Sequence, residues 1–555
     1  MSLQTPLQRL QQLIRLERED IGILMTYGVG IGLLSLATPV AVQALVNTVA
    51  FGALFQPLLV LTVVLLVLLS FSNTLVALQF YVVEMLQRRV FVRLFGETAV
   101  RLQQTRYAVH NDYHLPELTN RFFDVVTLQK TASVLLLETL GYVLQTLIGM
   151  LLLAFYHPLL LAFDLFFIAA LAFILFGMGK NGLRTAIVQS KAKYAAAAWL
   201  EDIAANPMMG KSSENRAYLN AQTDRIAHNY VEACTQHFQV LSRQNIGALI
   251  LHTLANTALL GIGGWLVISN QLSLGQLIAA ELVVGAMIYG LTRLGKTLDN
   301  FYELLTSVDK IGYLLDLPQE STQGTTPESK QGPYKVDING LSLPESQNLD
   351  WLKNIELQLA PGDQLVISEH IDQGSLLDVI YGLHQPSSGH VSLDDQDLRD
   401  LNLGQLRSTV GLVRHVEVFE GALLDNVRLG RDLNLMEIRQ ILGQVGLLET
   451  IANLPDSLDT RLLSNGSPLT HEQCLRLTLA RVLAGRPRLL LLDKVLDRID
   501  SRALPTILDH LLIPNTPWTL IVTSHRPDVI ARFQRHASIV NGRLSEIRND
   551  NQGAS

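Results

Sequence analysis

The strongest constraint on this chain is a long stretch, Ile21 to Val83, that contains no Asp, Glu, Lys or Arg. A helix needs about 20 apolar residues to cross a bilayer, so this stretch is long enough for two crossings. Apolar residues make up 48% of the 555 residues and charged residues only 17%, which is unusual for a soluble protein. The sequence therefore predicts a membrane protein, and its length predicts more than one domain.

Six apolar segments are long enough to span a membrane, at about 21–49, 57–83, 131–155, 158–179, 246–268 and 275–292. The connections after the first, third and fifth spans are short and carry no Lys or Arg, whereas the other two are long and basic. Because Lys and Arg accumulate on the cytoplasmic side, both termini and both long connections are predicted to be cytoplasmic. The long connections continue the helical pattern of the spans as two arms.

The ends of the membrane region are also predicted from local patterns. Residues 1–20 form an amphipathic helix on the membrane surface and show no cleavable signal. The transmembrane domain then covers residues 21–315, and a polar linker rich in turn formers covers 316–334.

After the linker, residues 335–555 alternate short β-type runs with helical patterns. This alternation predicts an α/β domain with a mainly parallel sheet. The predicted strands are Lys335–Ile338, Gln364–Ile367, Val391–Leu393, Val410–Val413, Leu489–Leu492, Thr519–Val522 and Ala537–Val540. The predicted helices are Leu376–Leu383, Leu435–Val445, His471–Leu483 and Ala503–Leu511.

Composition narrows the ligands that the chain is expected to bind. The net charge of −7 gives no support for nucleic-acid binding. Cys234 and Cys474 are far apart and lack the spacing of a metal site or a disulfide framework, so we expect two reduced thiols and no metal site.

The stretch after the strand Gln364–Ile367 stands where a phosphate-binding loop is expected. Such a loop reads G-x-x-x-x-G-K-[ST], because its backbone N–H groups, lysine and hydroxyl hold phosphate and magnesium. Here the segment lacks the lysine, and Glu369 and Asp372 add negative charge. We therefore expect Gln373, Gly374 and Ser375 to be at most the vestige of a nucleotide-binding loop.

Six spans, two cytoplasmic arms and a C-terminal α/β domain resemble an ABC exporter half-transporter from about residue 15 to 548. The spans and the motif Asn120–Asp124 are similar to ABC subunits of type I secretion and of peptide or toxin export. The resemblance implies a multi-domain membrane protein with a six-helix exporter domain and a P-loop-NTPase-like ABC ATPase domain.

The resemblance also assigns positions in the C-terminal domain, where several residues depart from the family. The family signature L-S-G-G-Q corresponds to Leu469, Thr470, His471, Glu472 and Gln473. The family's magnesium-side carboxylate corresponds to Asp493, its water-polarising glutamate to Lys494, its γ-phosphate-sensing glutamine to His415, its adenine-stacking tyrosine to Glu345, and its retained histidine to His525.

Structural roles are the alternative for these residues. Asp493 and His525 also suit a strand end and a cap, Lys494 suits an ion pair with Asp493 or Asp497, and His471 suits a helix start better than a metal site.

Three acids lie at membrane depth, namely Glu138, Asp164 and Glu281. Intramembrane carboxylates are costly and usually face a cavity or a partner. The sixth span lines the pathway in the resembled family, so Glu281 is the transport-pathway candidate. A neutral or paired acid near a span end is the alternative, and it suits Glu138 and Asp164 better.

These observations predict a catalytically impaired ABC exporter half in a bacterial inner membrane, with an ATPase-competent half as its partner. A heterodimer is preferred to a homodimer, and the chain by itself is expected to be no active ATPase. Mg-ATP binding is expected to be weak or absent, and no other cofactor is predicted. The alternative is a non-pumping scaffold or regulatory homodimer that binds lipid or secretion-system components.

Overall fold

A computed structural model describes residues 5–50, 55–109, 115–328, 330–343, 352–369 and 375–548. The chain forms two compact units. The first contains the chain up to Thr105 and from residue 113 to Leu317, and the second contains residues 106–112 and the chain from Pro318 onward. The second unit thus includes a short piece that the sequence pattern assigned to the transmembrane domain. Arg106 attaches this piece, because its N–H group donates to the Pro318 carbonyl at 2.9 Å.

The first unit is helical throughout its described residues. Its helices are α1 (Pro6–Leu16), α2 (Arg18–Ser35), α3 (Ala37–Ala50), α4 (Phe55–Gln103), α5 (Leu115–Asn120), α6 (Asp124–Val134), α7 (Leu140–Tyr156), α8 (Pro158–Ala172), α9 (Gly182–Ala205), α10 (Ser213–Ile268), α11 (Leu274–Thr292) and α12 (Leu294–Leu315). A 3₁₀ turn covers Arg121–Phe123, and π-helical segments cover Leu135–Thr139 and Phe173–Met178.

Six helical stretches in the described residues are long and apolar enough to cross a membrane, which agrees with the six predicted spans. They are Arg18–Thr48, Phe55–Gln103, Glu117–Tyr156, Pro158–Met178, Ser213–Ile268 and Leu274–Thr292. The first differs in detail, because Leu36 separates α2 from α3. Pro39 has no N–H group to donate to the carbonyl four residues earlier, so the helix is interrupted there.

The predicted helical arms are present as continuations of the spans. Helix α4 contains 49 residues and α10 contains 56. At 1.5 Å per residue, either helix is more than about 70 Å long, which exceeds the roughly 30 Å hydrocarbon core. The second arm turns between Ala205 and Ser213, where Pro207 and Gly210 lie.

The second unit contains the predicted α/β domain. Its strands are β1 (Val336–Ser342), β2 (Ile355–Leu359), β3 (Gln364–Glu369), β4 (Ser388–Leu393), β5 (Gln396–Asp397), β6 (Val410–Val413), β7 (Gly421–Ala422), β8 (Arg461–Leu462), β9 (Leu489–Asp493), β10 (Thr519–Thr523), β11 (Arg535–Val540) and β12 (Arg543–Arg548). Its helices are α13 (Ser375–Ile380), α14 (Leu403–Leu406), α15 (Leu423–Arg428), α16 (Leu435–Gln444), α17 (Leu448–Ala452), α18 (His471–Ala484), α19 (Leu504–Leu511) and α20 (Pro527–Ile530).

The main sheet has the strand order β12-β11-β3-β10-β9-β6, with parallel pairs throughout except between β11 and β12. All five residues of β9 are buried, as expected for a parallel strand covered on both faces. All seven predicted strands are present. The sequence analysis missed β2 and β12, the two-residue strands β5, β7 and β8, and the four-stranded antiparallel sheet β2-β1-β4-β5. The hydrophobic pattern of each segment does not show which other segment it pairs with.

The linker packs on the second unit over part of its length. Thr325 donates its N–H to the Asp400 carbonyl at 2.8 Å, and Glu320 forms an ion pair with Arg407 at 2.5 Å. This part of the linker therefore packs against the C-terminal domain.

Candidate nucleotide site

The carboxyl ends of β6, β9 and β10 meet at one edge of the main sheet, the edge where open α/β sheets bind ligands. The parallel register of β9 and β10 places Asp493 opposite Thr523. Val413 ends β6 opposite Leu492, so Arg414 follows directly beside Asp493. Strand pairing thus assembles one site from residues that are far apart in sequence.

Both carboxylate oxygens of Asp493 are engaged, and the residue is only 4% exposed. Thr523 Oγ1 donates to Asp493 Oδ1 at 2.8 Å. Arg414 Nε donates to the other oxygen, Oδ2. The carboxylate that the resemblance assigns to magnesium therefore already neutralises a cation of the protein itself.

Arg414 also contacts a second carboxylate, Asp378, which lies on α13 and is 4% exposed. Its Nη1 lies 3.5 Å from the hydroxyl oxygen of Tyr107, a residue of the same unit. His384 lies on the far side of Asp378, with 3.9 Å between its Nε2 and the carboxylate. The sequence analysis did not single out Arg414, because nothing local shows that the residue after a strand end will face two acids.

The charges of this cluster depend on one another. Burial raises the pKa of Asp378, and the Arg414 guanidinium opposes that change. Burial by itself would lower the pKa of Arg414, but Asp378 and Asp493 raise it above its ordinary value. Arg414 is therefore a permanent cation held between two carboxylates.

Lys494 occupies the position after β9 with a left-handed backbone, φ 53°. Its N–H group donates to the Thr523 carbonyl at 3.1 Å and to Thr523 Oγ1 at 3.0 Å. Asp497, one of the two acids expected to pair with the lysine, accepts from Ser524 Oγ and from the His525 N–H at 3.0 Å. Asp497 therefore closes the turn that carries His525, whose side chain is exposed.

His415 is exposed beside this edge. Partial burial lowers its pKa, and the positive charges of Arg414 and Arg498 lower it further. The imidazole is consequently neutral near pH 7.

The signature segment forms the start of α18. Thr470 caps the helix, because its Oγ1 accepts from the Gln473 N–H at 3.2 Å and Gln473 Oε1 accepts from the Thr470 N–H at 2.9 Å. Glu472 accepts from Arg476 Nη2 at 2.8 Å. Leu469 is buried and His471 is exposed. His471 starts the helix, and within the described ranges no group of three or more His, Cys, Asp and Glu side chains is placed to hold a metal ion.

Part of the predicted loop lies outside the described residues, namely Asp372, Gln373 and Gly374, and Glu345 lies outside them too. Ser375 is the first residue of α13, and Glu369 is the last residue of β3. The residues around the described part of the site suit Mg²⁺ poorly, since Asp493 already binds a guanidinium and the next residue is a lysine.

The membrane-depth acids lie apart from this edge, in the first unit. Glu281 is exposed on α11. Glu138 forms an ion pair with Arg293 at 3.5 Å, which agrees with the alternative of a paired acid. Asp164 is 3% exposed, and neither carboxylate oxygen has a hydrogen-bond partner among the described residues.

The first unit also contains a polar cavity of about 220 Å³ between α6, α9, α10 and α12, which the sequence analysis missed. Its lining includes Asp124, Lys193, His237 and Glu303. Lys193 Nζ lies 3.3 Å from Asp124 Oδ1.

Comparison with known proteins identifies the C-terminal fold. Residues 352–496 match the family described as ABC transporter. The chain is 24% identical over 330 residues to the cyclolysin secretion/processing ATP-binding protein of Bordetella pertussis, covering 58% of this chain and 46% of that protein. It is 26% identical over 318 residues to the alpha-hemolysin translocation ATP-binding protein of Escherichia coli, covering 56% of this chain and 45% of that protein. The chain thus spans about half the length of these relatives.

A solved structure, described as a bacterial Atm1-family ABC exporter with ATP bound, superimposes on nearly the whole chain. Its TM-score is 0.84 at 18% identity, and the match covers 96% of this chain and 95% of the other. The chain therefore has the fold of an ABC exporter half-transporter, with six candidate membrane spans followed by an ABC transporter nucleotide-binding domain.

Proposed function

We propose that this chain is the catalytically impaired half of an ABC exporter and works with an ATPase-competent half in a bacterial inner membrane. The observation that carries the proposal is Lys494, directly after Asp493 at the carboxyl end of β9. The family has a glutamate at this position, which orients the attacking water. An ammonium group cannot accept a proton or orient water as a carboxylate does. The chain's own site therefore lacks a group that hydrolysis requires.

The start of α18 supports the same proposal. In an ABC dimer, each nucleotide lies between the phosphate loop of one subunit and the signature helix of the other, whose N–H groups face the phosphate. Here Glu472 places a carboxylate in the first helical turn, and Arg476 offsets its charge. A homodimer would combine this helix with the altered loop twice. A heterodimer needs the helix only to accommodate a nucleotide held by the partner's intact loop.

The size of the expected loss favours a partner. Removing one transition-state donor typically costs about 2.7–4 kcal/mol, a factor of roughly 10²–10³ in rate. Lys494, His415 and Glu472 alter three positions of the family site. Such losses are not additive, yet a single one is large enough to leave the chain by itself with little activity.

The test is ATPase activity of the purified chain, alone and after co-expression with a half-transporter that has an intact loop, signature and glutamate. We expect background activity from the chain alone and clear activity from the pair. In the pair, replacing the partner's catalytic glutamate by glutamine should abolish turnover, whereas Lys494→Ala in this chain should leave it unchanged. The toxin-secretion relatives make a polypeptide the first cargo to test.

Two results would count against the proposal. The first is ordinary transporter turnover by the isolated chain that Lys494→Ala does not alter. The second is a stable homodimer that ignores both ATP and every co-expressed half-transporter, which would favour the non-pumping scaffold instead.

A further inference from the structure

The strongest unexplained feature is the position of Arg414, whose guanidinium bridges two nearly buried carboxylates at the nucleotide edge of the sheet. It donates to Asp493 through Nε and to Asp378 through Nη2. Only 15% of the arginine side chain is exposed. A planar guanidinium can serve two carboxylates at once, whereas two unpaired buried acids would repel each other.

We propose that Arg414 is a built-in substitute for a divalent cation, so that this nucleotide-binding domain is held in one arrangement without metal or nucleotide. This inference rests on the proposed function and adds a mechanism to it. Mg²⁺ and Mn²⁺ both prefer carboxylate oxygens as ligands, and Asp378 and Asp493 both lie within hydrogen-bond distance of one guanidinium. Without Arg414 they form a two-carboxylate cation site.

The contacts around the arginine indicate what this arrangement stabilises. Asp493 ends β9, Asp378 lies on α13, and Arg414 follows β6, so one side chain connects three elements. The Tyr107 hydroxyl lies 3.5 Å from Arg414 Nη1, so residues 106–109 are connected to the same arginine. These connections are present in the polypeptide itself, without metal or nucleotide.

The test uses the full-length chain in detergent with Mn²⁺ alone as the probe and no nucleotide. Bound Mn²⁺ is measured by electron paramagnetic resonance, and the thermal unfolding midpoint is measured with Mn²⁺ and with EDTA. The wild-type chain should bind no Mn²⁺ at this site and should unfold at the same temperature in both conditions.

The variant Arg414→Met should unfold at a temperature lower by more than about 5 °C in EDTA, because two buried carboxylates lose their counter-charge. It should bind one Mn²⁺ per chain and recover most of the lost midpoint when Mn²⁺ is added. The double variant Arg414→Met/Asp493→Asn should lose that binding.

Arg407→Met is the matched control, since Arg407 forms a comparably shielded ion pair with Glu320 in the same domain. It should also lower the midpoint but should gain no Mn²⁺ binding. If the methionine variant does not fold, Arg414→Lys replaces it in the experiment, because lysine keeps the positive charge but cannot bridge two carboxylates as a planar guanidinium does. This variant should lower the unfolding midpoint without a response to Mn²⁺.

The inference is overturned if wild-type protein binds Mn²⁺ as tightly as Arg414→Met, or if Arg414→Met, once folded, neither loses stability nor gains a cation. Neither result would change the expected outcome of the ATPase experiment. A failure of this inference can therefore be distinguished from a failure of the proposed function.

Discussion

At the scale of single residues, buried charge is the property that distinguishes this chain. Lys310 on α12 is 3% exposed, and its Nζ lies 3.9 Å from Asp309 Oδ2. Burial lowers its pKa, Asp309 opposes this, and Arg121 and Lys191 lower it further. The lysine therefore carries a desolvation penalty that Asp309 and the weaker attraction of Asp124 do not remove.

Replacing Lys310 with methionine should stabilise the protein near pH 7, because the aliphatic stem is kept and the buried charge is lost. The folded state holds the Lys310 proton less tightly than the unfolded state, so the wild type gains stability as pH rises from its lowered pKa towards 10.5. The advantage of the variant should thus shrink at alkaline pH. Denaturation curves of the wild type and the variant at two pH values measure this difference in the free energy of unfolding.

The exposed Lys296 on the same helix provides the control, and Lys296→Met should change stability by less than about 0.5 kcal/mol. Equal effects at both positions would contradict this explanation.

At the scale of elements, the central strand β9 is the part of the C-terminal domain that the local sequence predicts most directly. The run Leu489–Leu492 was predicted as a strand, and the observed strand Leu489–Asp493 is buried along its whole length. The cap of α18 is equally local, since Thr470 and Gln473 lie three residues apart.

Leu491→Ala should destabilise the domain by about 2–5 kcal/mol, because Leu491 is fully buried in β9 and its loss leaves a cavity. Leu463→Ala is the comparison, since Leu463 is half exposed in the same domain and should cost much less. Chemical denaturation of both variants measures the difference, and similar losses would show that β9 is not central to stability.

Glu472→Gly should raise the ATPase rate of the heterodimer, because it removes a carboxylate from the helix N-terminus that faces the partner's nucleotide in the proposed arrangement. Glycine costs about 1 kcal/mol of helix stability, so Glu449→Gly at the start of α17 tests that part separately. A rate that falls equally in both variants would mean that Glu472 has only a structural role.

At the scale of the whole molecule, the six apolar helices and the basic connections predict a testable topology. Cys234 lies on α10 within the basic second arm, and Ser269 lies in the short connection before α11. In a Cys234→Ser background, Ser269→Cys should react with a membrane-impermeant maleimide in intact cells. In the wild type, Cys234 should react only in inverted vesicles, and the opposite pattern would reverse the orientation.

The sequence by itself determined the features that depend on near neighbours. Span length, strand runs and the departure at Lys494 are all visible within a few residues, because the spacing of apolar residues is a local property of the chain. The tertiary structure alone decided what Arg414 contacts, since its two carboxylates lie 36 and 79 residues away in sequence. Parallel strand pairing brings such distant positions together, and no local sequence pattern shows which acidic and basic side chains will form ion pairs.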